Sequence, residues 1–132
     1  MVRSLPAMLA PALVTGFVLL AQPAAADPVT DARGVTVEVG DRSRVVSVGG
    51  TVTEILYDLD VDDAIVAVDS TSLFPPEALK ENDNVGYMRA LSAEGVLSMT
   101  PSLVLAIEGS GPPEVVELLG ASSVPLVVVD DD

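Results

Sequence analysis

The chain has 132 residues, with 6 Lys and Arg against 20 Asp and Glu, and no His, Cys or Trp. Its net charge of −14 excludes a nucleic-acid surface, which needs clustered cations, and equally an anionic membrane surface. Without His or Cys there can be no disulfide, no imidazole or thiolate metal site, and no Ser-His-Asp or Cys-His mechanism; a metal could be met only by oxygen donors.

Residues 1–26 read as a secretory signal peptide. Arg3 supplies the positive start, residues 7–21 form an uncharged apolar run, and Ala24-Ala25-Ala26 fits a small-x-small cleavage site before Asp27. The run falls short of the ~20 apolar residues of a membrane span and contains Pro11 and Gly16. Export to the periplasm is therefore expected, with no membrane insertion after cleavage. Residues 27–43 follow as a leader, polar and loose over 27–34, with an alternating candidate edge strand at Val35–Val39.

From residue 44 to 132 a pattern repeats. Arg44–Val48, Ala64–Val68, Leu103–Ile107 and Val124–Val129 are apolar runs without polar alternation, the mark of strands buried on both faces. Helical spacing lies between them. Thr51 with Glu54 forms a capping box for a helix through Leu59, Pro76 opens a short helix reaching Lys80, and Ser92 caps one through Ser98. Pro112-Pro113 opens another through Leu119, with Gly120 as its C-terminal glycine. Asn84–Arg89 reads as a short extended piece. Strands alternating with helices predict an α/β fold, a parallel sheet flanked by short helices. Ligands on such sheets bind at the loops beyond the strand carboxyl ends, here Gly49-Gly50, 69–75 and 108–111.

Most polar features read as structure. Gly49-Gly50 lacks the full dinucleotide spacing and a phosphate-loop lysine, so it predicts a tight turn before a helix N-terminus. Glu54, Glu94 and Glu114 each sit near a helix start, where a carboxylate offsets the dipole. Asp58, Asp60, Asp62 and Asp63 lack the glycine and terminal glutamate of a calcium loop and read as a solvated turn. Tyr87 stands apart. It has Gly86 before it and Arg89 two residues after, and on an extended segment residues two apart face the same side. An arginine beside a phenol favours the phenolate, a hard oxygen donor suited to ferric iron. Spacing alone leaves two readings open: a metal-ligating tyrosine, or a surface tyrosine packed by an arginine.

The stretches RVVSVGGTVTEILYDL, VAVDSTS and NVGYMRALSAEGVLSMTPSLVLAIEGSGPPEVVELL resemble the haem-binding periplasmic proteins of bacterial haem ABC importers. The resemblance runs from Arg44 to Val129. It rests on Gly-Gly-Thr-Val-Thr-Glu, Gly-Tyr-Met-Arg, Leu-Ser-x-Glu-Gly-Val-Leu and Glu-Gly-Ser-Gly-Pro-Pro occurring in order. It implies one lobe of a two-lobed binding protein whose lobes are joined by a long helix, with residues 44–132 as the N-terminal lobe and the C-terminal lobe absent. By the same resemblance Tyr87 ligates the iron of ferric haem b, the transported ligand. Arg89 hydrogen-bonds the phenolate or pairs with a propionate. Met88, Gly109, Ser110 and Gly111 are haem-contact candidates, and Glu94 docks onto the inner-membrane ABC permease. A monomeric, non-enzymatic haem carrier is the expectation. The alternatives are the same fold binding an iron siderophore or cobalamin, or a truncated remnant without function.

Overall fold

The computed structural model describes residues 25–132. The signal peptide expected over 1–26 lies outside the described residues, apart from Ala25 and Ala26.

Two short strands come first. β1 (Asp27–Thr30) and β2 (Thr36–Val39) pair antiparallel, with Thr30 opposite Thr36. Residues 27–34 are thus no loose leader, and Val35–Val39 is no edge of the main sheet. The buried Asp31 carboxylate makes the difference: it accepts from the amides of Arg33 (2.9 Å) and Val35 (3.1 Å) and so closes the hairpin turn. The Ala32 amide and the Arg33 guanidinium then fasten that turn to the carbonyls of Val128 and Leu126.

The main sheet holds β3 (Val45–Val48), β4 (Ile65–Val68), β5 (Asp83–Asn84), β6 (Leu103–Ile107) and β7 (Leu126–Val129). Its order is β5-β4-β3-β6-β7 and every neighbouring pair is parallel. This is the α/β arrangement that the uninterrupted apolar runs predict. Alternate residues serve opposite faces. Val46, Val48, Val104, Ala106, Leu126 and Val128 join Val96 and Leu119 in one core. Val45, Leu103 and Val127 meet Val39 of the hairpin and Leu56 in a second. Both faces exclude water, so neither can carry a polar stripe.

The helices are α1 (Gly50–Asp58), α2 (Glu77–Glu81), α3 (Ala93–Leu97) and α4 (Pro113–Gly120). Ser92 caps α3 as predicted, accepting from the Gly95 amide at 2.9 Å. Two other helix ends differ from expectation. α1 starts one residue early, with Gly49 at the cap and no Thr51 capping box. Its first amides are taken by a distant loop instead: Gly49 donates to Asp69 (2.8 Å) and Gly50 to Thr71 (3.2 Å). α4 runs through Gly120 rather than stopping before it, because the amide and hydroxyl of Ser122 both donate to the Leu119 carbonyl and finish the turn. Of the four aspartates expected in a solvated turn, Asp58 ends α1, Asp60 lies in the turn, and Asp62 and Asp63 open a short 3-10 helix, Asp62–Ala64.

The chain winds from β3 out to β5 and then returns to lay β6 on the other side of β3. The reversal between β3 and β6 is a topological switch point. The loops leaving the carboxyl ends of those strands diverge there and leave room for a ligand.

Candidate functional site

Three loops meet at this end of the sheet: the Gly49-Gly50 turn after β3, residues 69–75 after β4, and residues 108–112 after β6. The segment carrying Tyr87 leaves β5 at the sheet edge and crosses toward β6. Hydrogen bonds mark its path. Val85 donates to the Val68 carbonyl (3.0 Å), Ser70 donates to the Gly86 carbonyl (2.8 Å), and Gly111 donates to the Met88 carbonyl (2.9 Å). Leu91 then donates to the Gly111 carbonyl at 3.0 Å. Tyr87 is thereby held between an anchor on the β4 loop and one on the β6 loop.

The local conformation is not the extended piece expected over Asn84–Arg89. The strand ends at Asn84, whose side chain accepts from the Gly86 amide at 2.8 Å, and Gly86 takes a φ of +94°. An Asn side chain closing on its own backbone competes with strand pairing, and a positive φ is open to glycine at no steric cost. A turn follows, closed by the Ala90 amide on the Tyr87 carbonyl at 2.8 Å. The alternation rule therefore does not apply to Tyr87 and Arg89. They share a tight turn rather than one face of a strand.

Tyr87 is 48% exposed, and its hydroxyl makes no hydrogen bond among the described residues. Arg89 is exposed. Arg33 and Arg42 pair with carboxylates and Arg44 donates to the carbonyls of Met99 and Thr100, but Arg89 makes no ion pair or side-chain hydrogen bond among the described residues. Met88 is half-buried and packs on the main core. Gly109 and Ser110 belong to the β6 loop, where Ser110 folds back to donate to the Ile107 carbonyl at 2.7 Å, and Gly111 is buried beneath the tyrosine segment. Glu94 is exposed in the first turn of α3.

The second tyrosine is in a different state. Tyr57 is half-buried on α1, and Asn82 donates to its hydroxyl at 3.3 Å. Burial, followed by the nearby carboxylates of Glu81, Asp62 and Glu77, pushes its phenol above the ordinary value against the opposing Asn82 hydrogen bond. Tyr57 is thus biased away from the phenolate.

Two residues that sequence reasoning missed stand on the same rim. Leu73 is 70% exposed and Phe74 60%, both in the loop after β4 whose Ser70 holds Gly86. Adjacent exposed apolar side chains, on a loop bonded to the one that carries the half-exposed tyrosine, offer a surface to a large planar ligand. The available signal was their place in a strand carboxyl-end loop, where an apolar pair serves no core. Tyr87 does not line the grooves found elsewhere, one of about 460 Å³ between β2 and the end of α4 and one of about 240 Å³ under α1. It faces out from an open rim.

The model of the family described as Periplasmic binding protein matches residues 45–132. Among solved structures, the apo periplasmic heme-binding protein RhuT from Roseiflexus sp. RS-1 is 44% identical with a TM-score of 0.66, over 69% of this chain and 35% of that one. A periplasmic heme-binding protein from Pseudomonas aeruginosa is 39% identical with a TM-score of 0.63, over 67% of this chain and 31% of that one. The vitamin B12-binding protein of Pectobacterium carotovorum is 32% identical over 87 residues, 66% of this chain and 31% of the relative. The chain thus spans about a third of the length of these relatives.

Proposed function

This chain belongs to the periplasmic binding protein family, and on that footing we propose that it captures haem in the periplasm and hands it to an inner-membrane ABC importer. In this reading residues 44–132 form the N-terminal lobe, and the haem lies across the rim at the carboxyl end of the sheet. The observation that carries it is Tyr87: a half-exposed phenol with no hydrogen-bond partner among the described residues, pinned at the switch-point rim two residues from an arginine that makes no ion pair among them. Phenolate oxygen is a proven axial donor to haem iron. The two heme-binding relatives named above, at 44% and 39% identity, support the same ligand.

The chemistry is capture without turnover. Tyr87 donates its phenolate to ferric iron. Arg89 either steadies that phenolate or neutralises a propionate, for which a planar bidentate donor is well shaped. Leu73, Phe74 and Met88 supply apolar contact to the porphyrin, Gly109 and Ser110 let it approach the backbone closely, and the buried Gly111 supports the tyrosine segment from beneath. Glu94, exposed at the start of α3, presents the loaded lobe to cations of the permease. The signal-like residues 1–26 support a periplasmic site of action.

A second reading has an observation of its own. The curated relatives that align over 87 residues are named vitamin B12-binding proteins, so cobalamin is the competing ligand. Titration of the purified chain with ferric haem and, separately, with cyanocobalamin separates the two. A saturable high-spin ferric spectrum with a phenolate charge-transfer band, lost in Tyr87→Phe, is the expected result. Saturable cobalamin binding without haem binding would replace this reading with the second.

A further inference from the structure

Asp69 is fully buried, yet among the described residues no arginine or lysine pairs with it. Every described group that meets its carboxylate is a neutral donor. Gly49 donates its amide to Oδ1 at 2.8 Å and Ser72 its hydroxyl at 3.1 Å; Thr71 donates its amide to Oδ2 at 3.0 Å and its hydroxyl at 2.8 Å. An ionised carboxylate is acceptor-only and can take about four such bonds, so this site is filled by its own loops. Two further bonds extend the set: Gly50 donates to the Thr71 hydroxyl at 3.2 Å, and the Asp69 amide donates to the Ser47 carbonyl at 3.2 Å. Beneath it runs a buried chain of hydroxyls, Ser47 to Thr53 at 2.8 Å and Thr53 to Ser72 at 2.7 Å.

We propose that Asp69 is a positioning residue for the tyrosine loop: its carboxylate locks the β4 loop to the β3 turn, and the locked loop holds Gly86 through Ser70. The inference rests on the reading of Tyr87 as ligand. The connection is one covalent step long on each side. Asp69 precedes Ser70, whose amide bonds Gly86, and Gly86 precedes Tyr87. The anchor on the other side of Tyr87 is Met88 on Gly111. A donor oxygen must sit within tenths of an ångström of its metal, and outer residues that orient the donor typically govern affinity by ~10–100-fold. A network of four donors around one carboxylate specifies a single loop geometry, whereas an apolar plug of similar volume would let the loop choose among several. Asparagine cannot substitute, because its amide would turn two donors toward the N–H and O–H groups already there.

The test uses the full chain as Asp69→Asn beside Ser47→Ala, which removes a hydroxyl from the same buried chain without touching either loop. Amide hydrogen exchange is read by NMR at Ser70, Leu91 and Gly111, and ferric haem is titrated well below each variant's thermal midpoint. In Asp69→Asn the three amides should exchange faster, haem should bind ~10–100-fold more weakly, and the phenolate charge-transfer band should shift. Ser47→Ala should match wild type in all three readouts even where its melting temperature drops. Unchanged exchange at Leu91 and Gly111 in Asp69→Asn, or an unshifted band with wild-type affinity, overturns the proposal. Should wild type take up no ferric haem, the reading of Tyr87 falls on its own, and the exchange rates still decide whether Asp69 holds the loop. Should Asp69→Asn fail to fold, Thr71→Val removes one donor and is expected to move the same readouts by less; no movement there counts against the clamp.

Discussion

Met88 and Gly111 are paired through their backbones, the Gly111 amide donating to the Met88 carbonyl at 2.9 Å while the Gly111 carbonyl accepts from Leu91 at 3.0 Å. Two loops more than twenty residues apart in sequence are joined here as if by a fragment of β-ladder. The joint lies under Tyr87 and fixes its backbone without engaging its side chain. A ligating side chain on a fixed backbone loses less entropy on binding than one on a mobile loop.

Arg89 is exposed and makes no ion pair or side-chain hydrogen bond among the described residues, so its removal should cost the fold almost nothing. Arg89→Ala is expected to leave the urea midpoint within the range of ordinary surface substitutions, about ±0.5 kcal/mol. Haem affinity should fall about tenfold, the scale of one charge-assisted hydrogen bond near 1.5 kcal/mol. Isothermal titration beside urea unfolding checks both. Wild-type affinity in Arg89→Ala would remove the arginine from the site.

The two tyrosines should part cleanly. Tyr57 is biased toward the neutral phenol by burial and by neighbouring carboxylates, and lies on α1 away from the rim. Tyr57→Phe is expected to keep the full ferric phenolate spectrum, and Tyr87→Phe to lose it with little change in stability. A spectrum that survives in Tyr87→Phe and vanishes in Tyr57→Phe would transfer the role to the wrong-seeming residue and move the site off the rim.

The parts of the fold legible in the sequence are those fixed by local composition. Val45–Val48 or Leu103–Ile107 must be buried on both faces, because no polar residue recurs to face water, and Ser92 caps α3 with an amide three residues away. What was not legible depends on partners far along the chain. Thr51 has the pattern of a cap, but the helix begins ahead of it at Gly50, where the amides of Gly49 and Gly50 are met by Asp69 and Thr71, about twenty residues on. Asp27–Thr30 has no apolar face, and becomes a strand only because Asp31 closes a turn against Val128. Tyr87 was legible as a residue out of keeping with scaffold. Its turn was not, since Asn84 and Gly86 override the strand that the preceding residues begin.

Asp31 gives the fold a pH dependence of definite sign. Burial pushes its carboxyl pKa up, but the hydrogen bonds from the Arg33 side chain and from the Val128, Val35 and Arg33 amides outweigh that and leave it below the ordinary value. A group depressed in the folded state stabilises it fully above the unfolded pKa of ~3.9, and that contribution is lost as pH falls through the folded value. The difference in urea midpoint between wild type and Asp31→Asn should therefore be constant from about pH 7 down to about pH 5, then narrow below about pH 4. A gap that stays constant into acid would show that the carboxylate charge contributes nothing to holding the hairpin on β7.

Gly49 is the tightest point at the rim. Its φ of +106° is open to glycine but costly for other residues, and a Cβ there would lie 2.5 Å from Ile107 Cγ2 and 2.8 Å from Ile107 Cβ. Two penalties combine in Gly49→Ala: about 1–2 kcal/mol for the left-handed backbone and about 1–3 kcal/mol for overpacking a strand that cannot retreat. Gly109 separates them, because its φ of +80° is also positive but nothing lies within 4 Å of a Cβ built there. Gly109→Ala should thus show the backbone cost alone, about 1 kcal/mol, and Gly49→Ala about 3 kcal/mol, both read as lowered urea midpoints with unchanged slopes. Equal losses at the two positions would mean that Ile107 yields, and that the β3 turn and β6 are packed more loosely than their contact implies. Since Gly49 also donates to Asp69, a large loss there should be accompanied by faster amide exchange at Ser70, linking the tightest packing at the rim to the loop that holds Tyr87.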